Sequence, residues 1–299
     1  GPPMDNLRGI IFMIIAMAGF AVDDLLIKIL SANMPISQIL IITGLATAGV
    51  FLVVAIVSKT PMLLPELWSK PIILRTVADM FGGLFLVASI SLMPLSAVSA
   101  ILQATPLIVT LGGALVFKEQ VDWRRWLAII IGFAGVLLIL RPGSDAFQPA
   151  SLLAVLGTLC LAIRDISTRV IRARIPTLAV STYAFLAYAV GGLIATPFFA
   201  PFVAPTSVHW LLLAGVMLTG GLSYNAIVLA TRLGDMSVIS PFRYTRLVFA
   251  LILAMFVLNE QPPWQTLLGA AIILISGGYI FWYENRRYRH VPKDIVLSE

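Results

Sequence analysis

Apolar residues run through this chain in stretches of about 20, the length a helix needs to cross the hydrocarbon core of a bilayer. Polar residues and turn formers gather in the gaps. The pattern predicts ten transmembrane helices, over 8–30, 37–57, 71–93, 95–117, 122–140, 150–171, 177–198, 208–231, 237–258 and 264–283. Most connections are short and hold proline, glycine or charge, as at Pro35, Pro61, Arg141-Pro142-Gly143 and Pro262-Pro263. The widest outer connection is the proline-rich stretch from Pro197 to Ser207.

The pattern also repeats. Ala21-Val22-Asp23-Asp24-Leu25-Leu26-Ile27-Lys28 returns 141 residues later as Ala162-Ile163-Arg164-Asp165-Ile166-Ser167-Thr168-Arg169. The same shift carries Pro35 onto Pro176, Ser96 onto Ser237, Ser99 onto Ser240, Glu119-Gln120 onto Glu260-Gln261 and Trp123 onto Trp264. Two five-helix repeats are expected, 8–141 and 150–283, followed by a basic tail, 284–299. Membrane-embedded repeats of this kind commonly place a transport site between them.

Composition narrows the class without changing it. Hydrophobic residues make up 60% of the chain, charged residues 11%, and the mean hydropathy is +0.99. Soluble domains are roughly half apolar and one quarter charged, so an all-α integral membrane protein is expected. The one cysteine, Cys160, rules out a disulfide within the chain. A net charge of +6 would suit nucleic acid, but the bases alternate from loop to loop. Arg8, Lys59, Lys70, Lys118, Arg124, Arg125, Arg172, Arg174, Arg232, Arg286, Arg287, Arg289 and Lys293 fall on one side, and only Arg141 on the other. By the positive-inside rule both termini are cytoplasmic. Five spans per repeat is an odd number, so the second repeat must be inverted. Loop charge agrees, because Lys118–Arg125 is basic whereas its mate Asn259–Gln265 has no lysine or arginine.

The junctions Phe117-Lys118-Glu119-Gln120 and Leu258-Asn259-Glu260-Gln261, the Asp24…Lys28 pair and the corner Leu92-Met93-Pro94-Leu95-Ser96-Ala97 resemble the EamA-type drug/metabolite transporters. The likeness covers nearly the whole chain. Within that superfamily it is most similar to bacterial amino-acid and metabolite exporters of the YddG kind. An arginine common in the second helix of such proteins is replaced by Ile41-Ile42-Thr43-Gly44, so its role does not carry over. The resemblance implies a bacterial inner-membrane location, alternating access and a central cavity open to one side at a time.

Ionisable residues inside a bilayer cost several kcal/mol each, so every one needs a reason. Here they are Asp23, Asp24, Lys28, Arg75, Asp79, Arg164, Asp165, Arg169, Arg243 and Arg246. Asp24–Lys28, Arg75–Asp79 and Asp165–Arg169 are spaced i,i+4 and face one another along their helices. They are either self-neutralising pairs or, for Asp24–Lys28 and Asp165–Arg169 at opposite mouths of the pathway, gating ion pairs. Arg243 and Arg246 have neutral repeat mates, Leu102 and Thr105. Arg246 stands about 13 Å into its span, at 1.5 Å per residue. Either arginine suits a substrate carboxylate, the alternative being a pair with Asp23, Asp79 or Asp165. Asp79 suits a substrate ammonium or else pairs with Arg75. Gln103, Tyr224, Asn225 and Tyr244 complete the candidate binding set.

Enzyme chemistry is not expected. The histidines are His209 and His290, and the chain has no His-Glu-x-x-His, Gly-x-Ser-x-Gly or P-loop. No cofactor and no metal are expected. The reading is a secondary transporter, able to act as a monomer among membrane lipids, that exports amino acids or similar small metabolites. Export of drugs or other small organic ions is the alternative.

Overall fold

The computed structural model describes residues 3–170, 175–233 and 236–289, with backbone alone for Pro3, Arg169, Val170, Arg232, Met236, Ser237 and 287–289. The described residues form helices and connecting loops, with no strand among them. The helices are α1 (Pro3–Ser31), α2 (Ile36–Val57), α3 (Lys70–Leu92), α4 (Leu95–Leu102), α5 (Thr105–Val116), α6 (Trp123–Leu140), α7 (Ser151–Val170), α8 (Thr177–Ala195), α9 (Ser207–Leu233), α10 (Met236–Ile239), α11 (Thr245–Phe256) and α12 (Trp264–Arg289). Among the described residues, nine stretches are long and apolar enough to cross a membrane, α4 and α5 counting as one. Trp68, Trp210, Trp264 and Trp282 stand exposed near helix ends, as amphipathic anchors do at a membrane interface.

Two expected spans are broken rather than continuous. The stretch 95–117 divides into α4 and α5 at Gln103-Ala104, where Gln103 N bonds Ala100 O and Ala104 N bonds Ile101 O in a tight turn. Pro106 follows in the first turn of α5, where its missing N–H costs nothing. The stretch 237–258 divides into α10, a 3-10 segment Ser240–Tyr244 containing Pro241, and α11. The breaks fall at repeat-equivalent places. Half-helices meeting inside a membrane protein are tolerated where the freed backbone lines a cavity.

The packing follows the 141-residue shift. α1 lies along α9 and α3 along α7, two pairings that the shift exchanges, while α2–α8 and α6–α12 each map onto themselves. Small residues permit the closest crossings. At Gly44 an added Cβ would stand 2.7 Å from Phe185 O and 2.8 Å from Ala189 N, both backbone atoms of α8. Gly44→Val therefore forces α2 off α8, and we expect a loss of about 1–3 kcal/mol, the usual range for overpacking. Gly49→Val is the control, since nothing lies within 4 Å of its Cβ position. Equal melting temperatures for the two variants in detergent would contradict this packing.

The two Glu-Gln junctions are the same turn. Lys118 and Asn259, repeat mates, adopt left-handed φ values of 52° and 54°. Glu119 N then bonds Gly113 O, and Glu260 N bonds Ala254 O. The second turn aims the Glu260 carboxylate at the start of α4, where it accepts from Leu95 N at 2.7 Å and Ser96 N at 3.2 Å. An acid at a helix N-terminus satisfies orphan amides and complements the helix dipole. Glu260→Gln should lower stability by about 1.5–3 kcal/mol, the range for a hydrogen bond to a charged group. Thermal unfolding of that variant beside Glu66→Gln, in the connection before α3, checks it.

Candidate transport cavity

One cavity of about 2030 Å³ occupies the middle of the helix assembly. Its inner end is lined by Ile27, Leu40, Val87 and Val216. Its lining continues past Arg75, Thr168, Val180 and Thr231 to Leu64, Trp68, Pro176 and Glu284. It thus extends to the end of the assembly where α3 and α8 begin and α7, α9 and α12 end. Beyond the inner end the packing is tight. Leu30, Ile36, Ile39, Ile90, Met93, Leu95 and Leu213 are buried there. Lys28 Nζ donates to Met93 O at 2.6 Å, and the Glu260 cap ties α4 to the end of α11.

The gating pair expected within the first span is not formed. Asp24, 5% exposed, binds Arg246 instead: Nη2 donates to Oδ2 at 2.7 Å and to Oδ1 at 2.9 Å, and Nε to Oδ2 at 3.2 Å. A guanidinium fork offers a carboxylate several parallel donors where an ammonium offers a point charge. Lys28, one turn nearer the helix end, is left to satisfy a carbonyl at the C-terminus of α3, where the dipole favours a cation. The Arg246 guanidinium also lies 5.1 Å from the Phe20 ring centre. Asp165 pairs with Arg164 Nη2 at 3.1 Å and Arg243 Nη1 at 3.8 Å. The side chain of Arg169, its expected partner, is outside the described residues.

Asp79 is 1% exposed and is held by Arg164 Nη1 at 3.2 Å and by the Tyr188 hydroxyl at 2.9 Å, both on Oδ1. Oδ2 has no partner among the described residues. Arg75, its expected i,i+4 partner, reaches across helices to Thr168 Oγ1 at 3.1 Å and the Tyr224 hydroxyl at 3.4 Å. Gln103 lines the cavity at the α4–α5 break and bonds Ser99 O. Tyr224, Arg243, Tyr244 and Arg246 line the same space. Tyr244 packs on the bare backbone of Gly277 and edge-on to Phe281, its hydroxyl without a partner among the described residues. Asn225 is turned away from the cavity and accepts a hydrogen bond from Ser181 at 3.0 Å.

Tyr188, Asp23, Arg75 and Arg164 line the cavity but are absent from the binding and gating residues expected from sequence. Tyr188 carries no sequence signal, being one of two tyrosines in an apolar helix. Asp23, Arg75 and Arg164 were visible as buried charges, and the repeat relation of Asp23 to Arg164 was the clue to the importance of those two.

Residues 7–141 and 148–282 each match the EamA-like transporter family. The chain belongs to that family. Membership makes this EamA-like protein a multi-pass membrane transporter, and named relatives handle small metabolites. It is 28% identical to an S-adenosylmethionine uptake transporter of Rickettsia bellii over 72% of this chain and 73% of that one. It is 30% identical to a riboflavin transporter of Vibrio cholerae over 64% and 63% of the two chains, just under two thirds of that relative. A pseudopaline exporter of Pseudomonas aeruginosa is 24% identical over 91% of this chain and 96% of its own. A crystal structure 18% identical in sequence matches the fold over 96% of this chain and 99% of that one, with a TM-score of 0.64.

Proposed function

We propose that this protein is a secondary transporter of small zwitterionic metabolites, an amino-acid exporter of the bacterial inner membrane. Its scaffold is ten spans in two inverted five-helix repeats, α4–α5 and α10–α11 each making one broken span. With both termini cytoplasmic, as loop charge requires, the cavity faces the cytoplasm and the sealed end faces outward. Substrate would load from inside and leave after the repeats rock about the cavity.

The observation that carries this reading is Arg243. It lines the cavity at a third exposed; among the described residues its one ion pair is the long 3.8 Å contact with Asp165, and its Nε has no partner. A guanidinium in that condition can take a carboxylate bidentately. Arg246, by contrast, has its fork filled by Asp24. S-adenosylmethionine, named for one relative, itself ends in an amino-acid group, which supports the same substrate class.

The test is counterflow in liposomes, with labelled L-methionine, L-phenylalanine and S-adenosylmethionine as probes. Saturable exchange should appear with the parent protein and fall at least tenfold in Arg243→Ala, since a charge-assisted hydrogen bond contributes about 1.5–3 kcal/mol. Exchange of riboflavin but of no amino-acid-bearing probe would replace this reading with an organic-molecule carrier.

A further inference from the structure

The 141-residue shift pairs Asp23 with Arg164, opposite charges at one scaffold position. It also pairs Asp79 with Gly220. These four residues meet in the corresponding helix contacts, α3 with α7 and α1 with α9. In the first contact Arg164 and Asp79 form a salt bridge of 3.2 Å. In the second, Asp23 faces a glycine: a Cβ on Gly220 would stand 3.2 Å from Asp23 Oδ1. The place that holds a counter-charge in one half holds no side chain in the other.

Charge around the cavity is divided accordingly. Arg75, Arg164 and Arg243 gather with Asp79 and Asp165, leaving one positive charge in excess. Asp23 and Asp24 gather with Arg246, leaving one negative charge in excess. Arg246 is engaged by Asp24, so Asp23 keeps only a hydroxyl, Thr219 Oγ1 at 3.3 Å. Among the described residues no cation lies within salt-bridge distance of it. A membrane carboxylate in that state is costly until a cation arrives. Asp79 is a poorer receiver, because it is 1% exposed and already bound to Arg164 and Tyr188.

We infer that Asp23 is the subsite for the ammonium group of a zwitterionic substrate, with Gly220 leaving the room it needs and the Arg243 side taking the carboxylate. This assignment rests on the zwitterion reading above and gives the substrate a direction in the cavity. The cavity is dipolar, and a molecule with one charge satisfies only one end of it.

The test compares L-methionine with 4-methylthio-2-hydroxybutanoate, its analogue with a hydroxyl in place of the ammonium, as inhibitors of labelled L-methionine counterflow. Asp23→Asn should weaken L-methionine about 10- to 100-fold and leave the hydroxy acid unchanged, while Asp23→Glu keeps the preference. Gly220→Val, which fills the space but keeps the carboxylate, should act like Asp23→Asn and serves where that variant does not fold. Unchanged L-methionine affinity in Asp23→Asn, or in Gly220→Val, would overturn the assignment. So would an equal loss for both compounds, or a lost pH dependence with affinities intact, which would make Asp23 a proton carrier. If the parent protein exchanges neither L-methionine nor any other amino acid, the zwitterion reading fails and this subsite with it. Amino-acid exchange that is indifferent to Asp23 fails the subsite alone.

Discussion

Arg246→Met is expected to destabilise the protein by about 3–5 kcal/mol, because it strands the Asp24 carboxylate inside the membrane. Asp24 is 5% exposed and receives three hydrogen bonds from that one guanidinium, so little else can solvate it. Asp24→Leu should be nearly as damaging, for it leaves a buried guanidinium. The informative variant is the double one. Removing both charges takes away the desolvation cost along with the attraction, and replacing a buried ion pair by apolar residues is often close to neutral. The Asp24→Leu/Arg246→Met protein should therefore melt well above either single variant. Thermal unfolding of all four proteins in one detergent gives the coupling directly. Additive losses would mean that the two side chains do not meet in the folded state.

The second large effect is one of access. In a Cys160→Ser background, cysteines at Val180 and Thr231 should react with a membrane-impermeant maleimide from the cytoplasmic face, because both positions line the open part of the cavity. Cysteines at Leu30 and Ile90, each 1% exposed, should resist the reagent from either face. Inside-out and right-side-out vesicles separate the two directions. Reaction of Thr231→Cys only from the outer face would reverse the proposed orientation.

How much of this was readable in advance depends on the scale of the question. Span positions were legible because burial in lipid selects whole helices of apolar residues: 71–93 became Lys70–Leu92 and 208–231 became Ser207–Leu233, while 8–30 and 264–283 lengthened at their polar ends to Pro3–Ser31 and Trp264–Arg289. The breaks within 95–117 and 237–258 were hinted at only by Pro106 and Pro241, because hydropathy does not register a backbone that leaves the helix while staying buried. Charge partners were least legible. Asp24 and Lys28 have ideal spacing along one helix, yet Asp24 found Arg246, 222 residues away in sequence. Spacing reports which groups can meet within a helix, and cavity geometry decides which of them do. The same limit hid Tyr188, whose value comes from standing opposite Asp79 across Gly83, where a Cβ would lie 2.5 Å from its ring. The repeat reached furthest, since the Asp23–Arg164 and Asp79–Gly220 relations could be read from the sequence once the cavity gave them meaning.

The α6–α12 pair touches the cavity through Ile280, Phe281 and Glu284 of α12. Gly135 and Gly269 let the two backbones nearly touch, with Cβ positions 2.9 Å and 2.6 Å from the opposing carbonyl oxygens. At the end where α6 begins and α12 ends, Arg125 bridges to Glu284 at 3.4 Å and lies over the Tyr283 ring, while the Tyr283 hydroxyl donates to Asp122. That donated bond, before any other influence, holds the Asp122 carboxyl below the usual carboxylate range. The repeat mates of Tyr283 and Glu284 are Pro142 and Gly143, so this staple has no counterpart at the other end. In mechanical terms the pair has the build of a stator, a column clamped at one end. Spin labels placed across it are expected to keep one distance while labels across the cavity change theirs, and so to supply a fixed ruler for the other movements.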